Sequence, residues 1–576
     1  MLAKEKIFPA LLVAQLMSSV LCGCRTAERT MLAVSRLKSP VTISTPAVNK
    51  AFTTDELVSA EIDPWTLKPA STNRTNAKLG ENHPSNSGRG SPRFDAYADL
   101  RDRETIVIAC LSGGGARAAR MAAYTLASLE KRYNETFPTQ SSASPFANQI
   151  HAWSSISGGS VYSSFIAAQL TGSKCFTNNT FDMLSRETRA LRGTQFLGGM
   201  ASFFYLWPGN LGYGPLMQFG TDWDTLDLFA HNLAMFHRGT PPLLPFSRMS
   251  TLGDLPKTPR FFFNATCRET ARPFIFTQSV LHRNLGGDPL SGLDADPIIR
   301  WIEGGKTTNR FEPFRYASTL EDLGSPPNRF PLAYAAMASA AFPGVFDPLW
   351  LNCYRLSPTN SSCFPMDPKK LWWLRETVSL VDGGLYDNSG LITALELFEY
   401  LRADPAHRPK RLVLLAIDAD NCIQGYTGAN PSSGVPWQYD LPIRGAIAAV
   451  TTIRKLHDSQ QCMVTAAIHR HIQSLVDEGA LEYCAVSLKN ALTATNNLEQ
   501  TFVKRIKKHA IKQTWSQIQA LGVFGLVEDI PTDFVLSNEE DENLEKTVKL
   551  LLDQKTNDKT LADRIIKAIS DANLLH

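Results

Sequence analysis

From Ile106 to Leu111 every residue is apolar, and the run ends in a turn holding three consecutive glycines, Gly113 to Gly115. A half-exposed strand alternates apolar and polar residues. A run without alternation suits a strand covered on both faces, which confines the chain to a layered fold with helices on either side of a sheet. Ala, Met and Leu then follow at helical spacing from Ala116 to Lys131. The pattern recurs. Gln149-Ile-His-Ala-Trp-Ser-Ser-Ile156 reads as a strand, Ser157-Gly-Gly159 as a turn and Val161 to Leu170 as a helix. Thr377 to Val381, Asp382-Gly-Gly384 and Leu391 to Leu401 form a third such unit, and a fourth strand, Arg411 to Ile417, ends in Asp418. Strands alternating with helices predict an α/β fold of three layers, α/β/α, around a mainly parallel sheet, followed by a helical C-terminal part. Ligands of such sheets bind beyond the carboxyl ends of the strands, where the three glycine turns are expected.

Composition narrows the partners. The chain has 576 residues, 58 basic against 55 acidic, a net charge of +3, and no dense Lys/Arg block, so nucleic acid is not an expected partner. No apolar run reaches the roughly 20 residues that a spanning helix needs. The start of the chain reads as a leader: Lys4 and Lys6, an apolar stretch from Ile7 to Leu21, then Cys22-Gly-Cys24. Leu21-Cys-Gly-Cys24 resembles the lipobox of bacterial lipoproteins, with Cys24 as the lipidated residue; the alternatives are an ordinary secretory signal cut nearby and an N-terminus that is not exported. The expected organisation is a signal peptide over 1–23, a Pro, Ser, Thr and Asn rich tether over 24–100, a catalytic domain over 101–555 with an insertion around 190–260, and a C-terminal helix over 556–576. Localisation follows as membrane-anchored in the cell envelope, on the outer-membrane or periplasmic side, or secreted.

The three turns carry complementary chemistry. Ser157 ends a strand and is followed by two glycines, the placement of a nucleophile on a sharp strand-to-helix turn. Gly113, Gly114 and Gly115 offer backbone amides with no side chains in the way, as an oxyanion hole requires. A nucleotide phosphate loop is the competing reading, but neither GxxxxGK[ST] nor GxGxxG is present. Asp382 ends its own strand, and a carboxylate held beside a serine hydroxyl can act as its general base. Eleven histidines keep a Ser-His-Asp triad formally open, among them His151, His457, His469 and His471.

Ser112-Gly-Gly-Gly-Ala-Arg117, Ser157-Gly-Gly159 and Asp382-Gly-Gly384 together resemble the signature blocks of the patatin-like phospholipases, and the first also resembles that of the cytosolic phospholipases of the same superfamily. Phe263-Asn-Ala-Thr266, Arg272-Pro-Phe-Ile-Phe276 and Ala338 to Phe346 follow in the order of that family. The resemblance implies a Ser157/Asp382 dyad without a catalytic histidine, an oxyanion hole from Gly113, Gly114 and Gly115, and a role for Arg117 on the substrate phosphate. No CxxC pair supports a zinc or haem site, and no cofactor or metal site is expected. The expected activity is hydrolysis of acyl esters of glycerophospholipids at a membrane surface. The alternatives are a catalytically silent envelope protein that binds lipid or a partner, and an esterase on neutral esters. Ser155 stands where the usual elbow has glycine, and 225 positions separate Ser157 from Asp382, more than in compact patatins.

Three further expectations are local. Cys353 and Cys363 are the best candidates for a disulfide, against two free thiols. Phe196 to Pro208, aromatic and interrupted by glycines, is either core or a segment that enters a lipid interface. Ser537-Asn-Glu-Glu540 reads as a capping box, with Leu544, Val548, Leu551 and Leu552 on one helix face that is most simply core, the alternative being a partner-binding face.

Overall fold

A computed structural model of the protein describes residues 97–172, 175–191, 225–238, 249–268, 270–278, 296–302, 314, 316–342, 348–352, 377–402, 409–419, 464–488, 538–556 and 558–574. Cys24 and the tether before residue 97, Phe196 to Pro208, the Cys353 and Cys363 pair, His457 and Ser537 lie outside the described residues.

The strands are β1 Thr105–Leu111, β2 Ala152–Ile156, β3 Arg260–Cys267, β4 Pro273–Phe276, β5 Ser318–Thr319, β6 Leu349–Asn352, β7 Thr377–Asp382, β8 Arg411–Asp418 and β9 Leu481–Ser487. The main helices are α1 Gly115–Thr136, α2 Gly158–Gln169, α3 Thr180–Glu187, α4 Thr225–Arg238, α5 Leu332–Ser339, α6 Leu391–Arg402, α7 Asn538–Leu552 and α8 Leu561–Leu574. The strands form one sheet in the order β5-β4-β3-β2-β1-β8-β9, with β7 pairing β3 and β6. From β3 through β9 the neighbours run parallel. The expected α/β architecture is the one the chain adopts.

Strand β1 shows why the apolar run had no alternation. Val107, Ala109 and Leu111 pack into a core with α1, α2, α5, α7 and α8, whereas Ile106, Ile108 and Cys110 pack into a second core with α6 and a helical run over 464–477. Both faces are covered, so neither tolerates a polar residue. The stripe of α7 behaves as expected: Leu544, Val548, Leu551 and Leu552 are all buried in the first core. So are Ile565, Ile566 and Ile569 of α8, which makes the C-terminal helix part of the same body instead of an appendage.

Buried charge fixes these helices further. Arg120 of α1 donates to Asp541 Oδ1 of α7 (2.8 Å), to the Ser185 carbonyl of α3 (2.7 Å) and to the hydroxyls of Thr188 and Tyr124. A fully buried guanidinium satisfied from three helices sets their mutual positions, and removal of its carboxylate would leave an uncompensated charge.

The sheet is mainly parallel and the third turn follows the carboxyl end of its strand, but that strand, β7, runs antiparallel to β3. A short apolar run carries no mark of its direction. Along β3, Arg260 to Asn264 pair with β2, and Ala265 to Cys267 pair with β7. Because β4 occupies the other edge of β3, β2 and β7 share one edge and meet end to end.

Candidate active site

Ser157 stands where β2 stops and α2 begins. Its backbone is at φ 51 and ψ −123, a region that non-glycine residues rarely occupy, and it is the N-cap of α2. That sharp turn lifts the hydroxyl off the end of the sheet and leaves it at the positive end of the helix. Asp382 arrives from the opposite direction at the end of β7. Ser157 Oγ donates to Asp382 Oδ2 at 2.7 Å, and Asp382 Oδ1 accepts the amide of Gly384 at 2.7 Å.

Asp382 is buried, and burial raises its carboxyl pKa to about 6; the hydrogen bonds from Ser157 and Gly384 limit that rise. A carboxylate tuned to this range can take a proton near neutrality and return it.

The glycines are explained by how tightly the three turns interlock. A Cβ on Gly158 would stand 1.9 Å from the Gly115 carbonyl oxygen, and one on Gly159 would stand 2.6 Å from the Leu111 and Ser112 oxygens, so the starts of α1 and α2 touch backbone to backbone. A Cβ on Gly383 would stand 2.0 Å from the Asn264 carbonyl oxygen. Each turn is therefore locked to another: the first to the second through Gly115 and Gly158, and the second to the third through Ser157 and Asp382.

The first and third turns are joined by Asn388. Gly113 N–H donates to the Asn388 carbonyl at 2.9 Å, and a Cβ on Gly113 would stand 2.2 Å from Asn388 Oδ1 and 3.3 Å from the Ser157 Cβ. The loop lies beside Ser157, and the amide of Gly113 is already engaged. Gly114, at φ 131, caps α1, and Gly115 opens it; their amides have no backbone acceptor among the described residues. Nothing in the sequence marked Asn388 as more than a loop residue. Its neighbour Asp387 holds the loop by accepting from Ser389 and from the Ile392 amide at the start of α6.

Arg117 is buried at 2% exposure, and its Nη2 lies 3.6 Å from where a Cβ on Gly114 would stand. The structure places it against the glycine loop at the start of α1. The helical spacing of the run gave Arg117 a position in the first turn of α1 but not the side toward which it points.

Beneath the site is a network with a partial sequence signal in the Phe263-Asn-Ala-Thr266 and Ala338 to Phe346 blocks. Asn264 Nδ2 donates to Ser154 Oγ (3.1 Å) and to the Ser155 carbonyl (3.0 Å), and its Oδ1 accepts from Thr393 (2.7 Å). Ser155, in the place of the usual glycine, turns its hydroxyl to the Phe262 carbonyl of the next strand. Ser154 donates to the Gly390 carbonyl and Ser160 to Ser155 Oγ. These neighbouring hydroxyls are engaged elsewhere, and Ser157 is the serine that meets Asp382.

Among the described residues no histidine hydrogen-bonds Ser157 or Asp382. His151 precedes β2, at the opposite end from Ser157, where its Nδ1 accepts the Val107 amide. At about 3.3 Å per residue it is roughly 20 Å from Ser157 along the strand. His237 lies against Ser164 and Phe165, and His471 stacks on Trp301 and pairs with Glu399. Among the described residues there is also no cluster of His, Cys, Asp and Glu of the kind that holds a metal ion.

The patatin-like phospholipase family model matches residues 109–395, about half of the chain and a span that includes all three glycine turns. No curated protein matches the sequence. Among solved structures, human GIVD cytosolic phospholipase A2 matches with 11% sequence identity and a TM-score of 0.29, covering 55% of this chain and 43% of that one. A similarity at that score carries no argument about function.

Proposed function

The chain belongs to the patatin-like phospholipases, a family of lipid acyl hydrolases, and on that premise we propose that it cleaves fatty-acyl esters of glycerophospholipids through a Ser157/Asp382 dyad. The observation that carries the proposal is the 2.7 Å hydrogen bond from Ser157 Oγ to a buried carboxylate whose pKa lies near 6.

In the first half of the reaction Asp382 Oδ2 takes the Ser157 proton as Oγ attacks the ester carbonyl carbon. The carbonyl oxygen becomes an oxyanion facing the amides of Gly114 and Gly115, with the first turn of α1 adding its dipole. Collapse expels the alcohol, which takes the proton from Asp382, and leaves an acyl group on Ser157. Water then gives a proton to Asp382 and attacks the acyl-enzyme; the second collapse releases the fatty acid and returns the proton to Ser157 Oγ. Gly113 supports the hole structurally, its own amide being closed by Asn388.

Burial of Arg117 favours a second reading, an esterase acting on neutral esters, because the guanidinium offers no exposed fork for a phosphate. In that role Arg117 steadies the glycine loop and adds positive field near the oxyanion. The N-terminal Cys24 motif belongs to the same proposal as the anchor that would hold the enzyme at a membrane surface in the cell envelope. A catalytically silent lipid-binding protein is disfavoured by the interlocked turns, which hold a strained serine against a carboxylate with no evident structural benefit.

The test is fatty-acid release by the full-length protein from phosphatidylcholine vesicles and from a neutral short-chain ester. Hydrolysis of the vesicles that disappears in Ser157→Ala and Asp382→Asn supports the phospholipid reading. Hydrolysis of the neutral ester alone supports the second, and absence of both activities in the wild-type protein contradicts the enzyme reading.

A further inference from the structure

Resting on the Ser157/Asp382 reading, we propose that Ser339 is a positioning residue for the nucleophile, and that the segment Ser339 to Ala341 at the end of α5 sets the separation of nucleophile and base. The need arises from the strand ends. Strand β2 stops at Ile156 because β7 occupies the next stretch of β3's edge, so the amide of Ser157 has left the ladder. A buried amide without an acceptor is costly. Ser339 Oγ supplies that acceptor, taking the Ser157 N–H at 3.0 Å.

Ser339 is itself fixed. Its hydroxyl donates to the Asn264 carbonyl and lies 2.8 Å from Ser160 Oγ. Asn264 is held in turn by Thr393, Ser154 and Ser155 through its side chain. Two residues further along, the Ala341 carbonyl accepts the amide of Asp382 at 2.9 Å. One short segment therefore grips the backbone of both partners in the 2.7 Å Ser157 to Asp382 bond. Ser339 is completely buried, so it reaches no substrate; it acts through the orientation of Ser157.

This predicts a loss in the chemical step without a loss in binding. With the full-length protein, two quantities are measured: turnover of a short-chain p-nitrophenyl ester and the rate constant for labelling of Ser157 by a fluorophosphonate. Ser339→Ala is expected to lower kcat and the labelling rate each by about ten- to a hundredfold, with KM within about twofold of wild type and a cooperative thermal transition. Ser339→Cys preserves the volume but replaces the hydroxyl by a weak acceptor, and it is expected to show the same loss. It decides the question should the alanine variant not fold. Folded variants that label and turn over within about threefold of wild type overturn the proposal, as does a change confined to KM. If the wild-type protein is labelled somewhere other than Ser157, the dyad reading fails; if it is labelled at Ser157 and the Ser339 variants keep its rate, only this proposal fails.

Discussion

Ile156 and Asp382 pair with consecutive residues of β3, Asn264 and Ala265, so a parallel and an antiparallel strand end against each other on one edge. That relationship brings together two residues 225 positions apart. Ser157 follows directly from the first strand end, and Asp382 is the second. The gap between the strands is where the sheet stops supplying hydrogen bonds, and it is also where the chemistry would take place.

The raised pKa of Asp382 gives the activity a definite pH dependence. Only the ionised carboxylate accepts the Ser157 proton, so hydrolysis of an uncharged ester is expected to rise with pH through about 6 and to fall by about tenfold for each pH unit well below it. A profile of kcat/KM against pH checks this. An acid limb centred near 4 would mean that Asp382 is not desolvated in the way described.

The same group should cost the protein stability. The folded pKa of about 6 lies above that of an unfolded aspartate, so the native state binds the proton more tightly. Its favourable contribution is complete below about pH 4 and is lost as pH rises through about 6. Asp382→Asn removes this dependence. At pH 7 the variant is expected to be more stable than the wild type by up to about 3 kcal/mol while inactive, and the difference should vanish towards pH 4. Denaturant unfolding at the two pH values measures it.

Gly158→Ala is expected to abolish activity and to lower thermal stability strongly, because the added Cβ would lie 1.9 Å from the Gly115 oxygen and drive the starts of α1 and α2 apart. Gly172 is a useful contrast. A Cβ there meets nothing within 4 Å, and only its φ of +72 opposes alanine, so Gly172→Ala should cost about 1 kcal/mol and leave turnover intact.

How much of this was legible beforehand depended on what repeats locally. Apolar runs without alternation announced the buried strands, and glycines behind Ser157 and Asp382 marked turns whose backbones pack too closely for a side chain. The direction of β7 was not legible, since Thr377 to Val381 reads the same in either sense. Nor was the capture of the Gly113 amide by Asn388, which depends on a contact between distant loops. The burial of Arg117 was missed because helical spacing fixes a residue's angle around α1 but not what covers it. Ser339 and Asn264 lay within recognisable blocks, yet their roles arise from single hydrogen bonds that leave no periodic trace.

Asp541→Ala tests the unity of the body. It strips the buried Arg120 of its carboxylate and is expected to cost about 3–5 kcal/mol, far more than an exposed pair would. A change below about 1 kcal/mol in denaturant unfolding would mean that α7 is not held to α1 in the way described.

The most direct test of the dyad is the site at which a fluorophosphonate becomes attached to the wild-type protein. Peptide mapping by mass spectrometry is expected to find one adduct, on Ser157, absent from Ser157→Ala and strongly reduced in Asp382→Asn. An adduct on another serine, or undiminished labelling of Ser157→Ala, would contradict the assignment of Ser157 as the nucleophile.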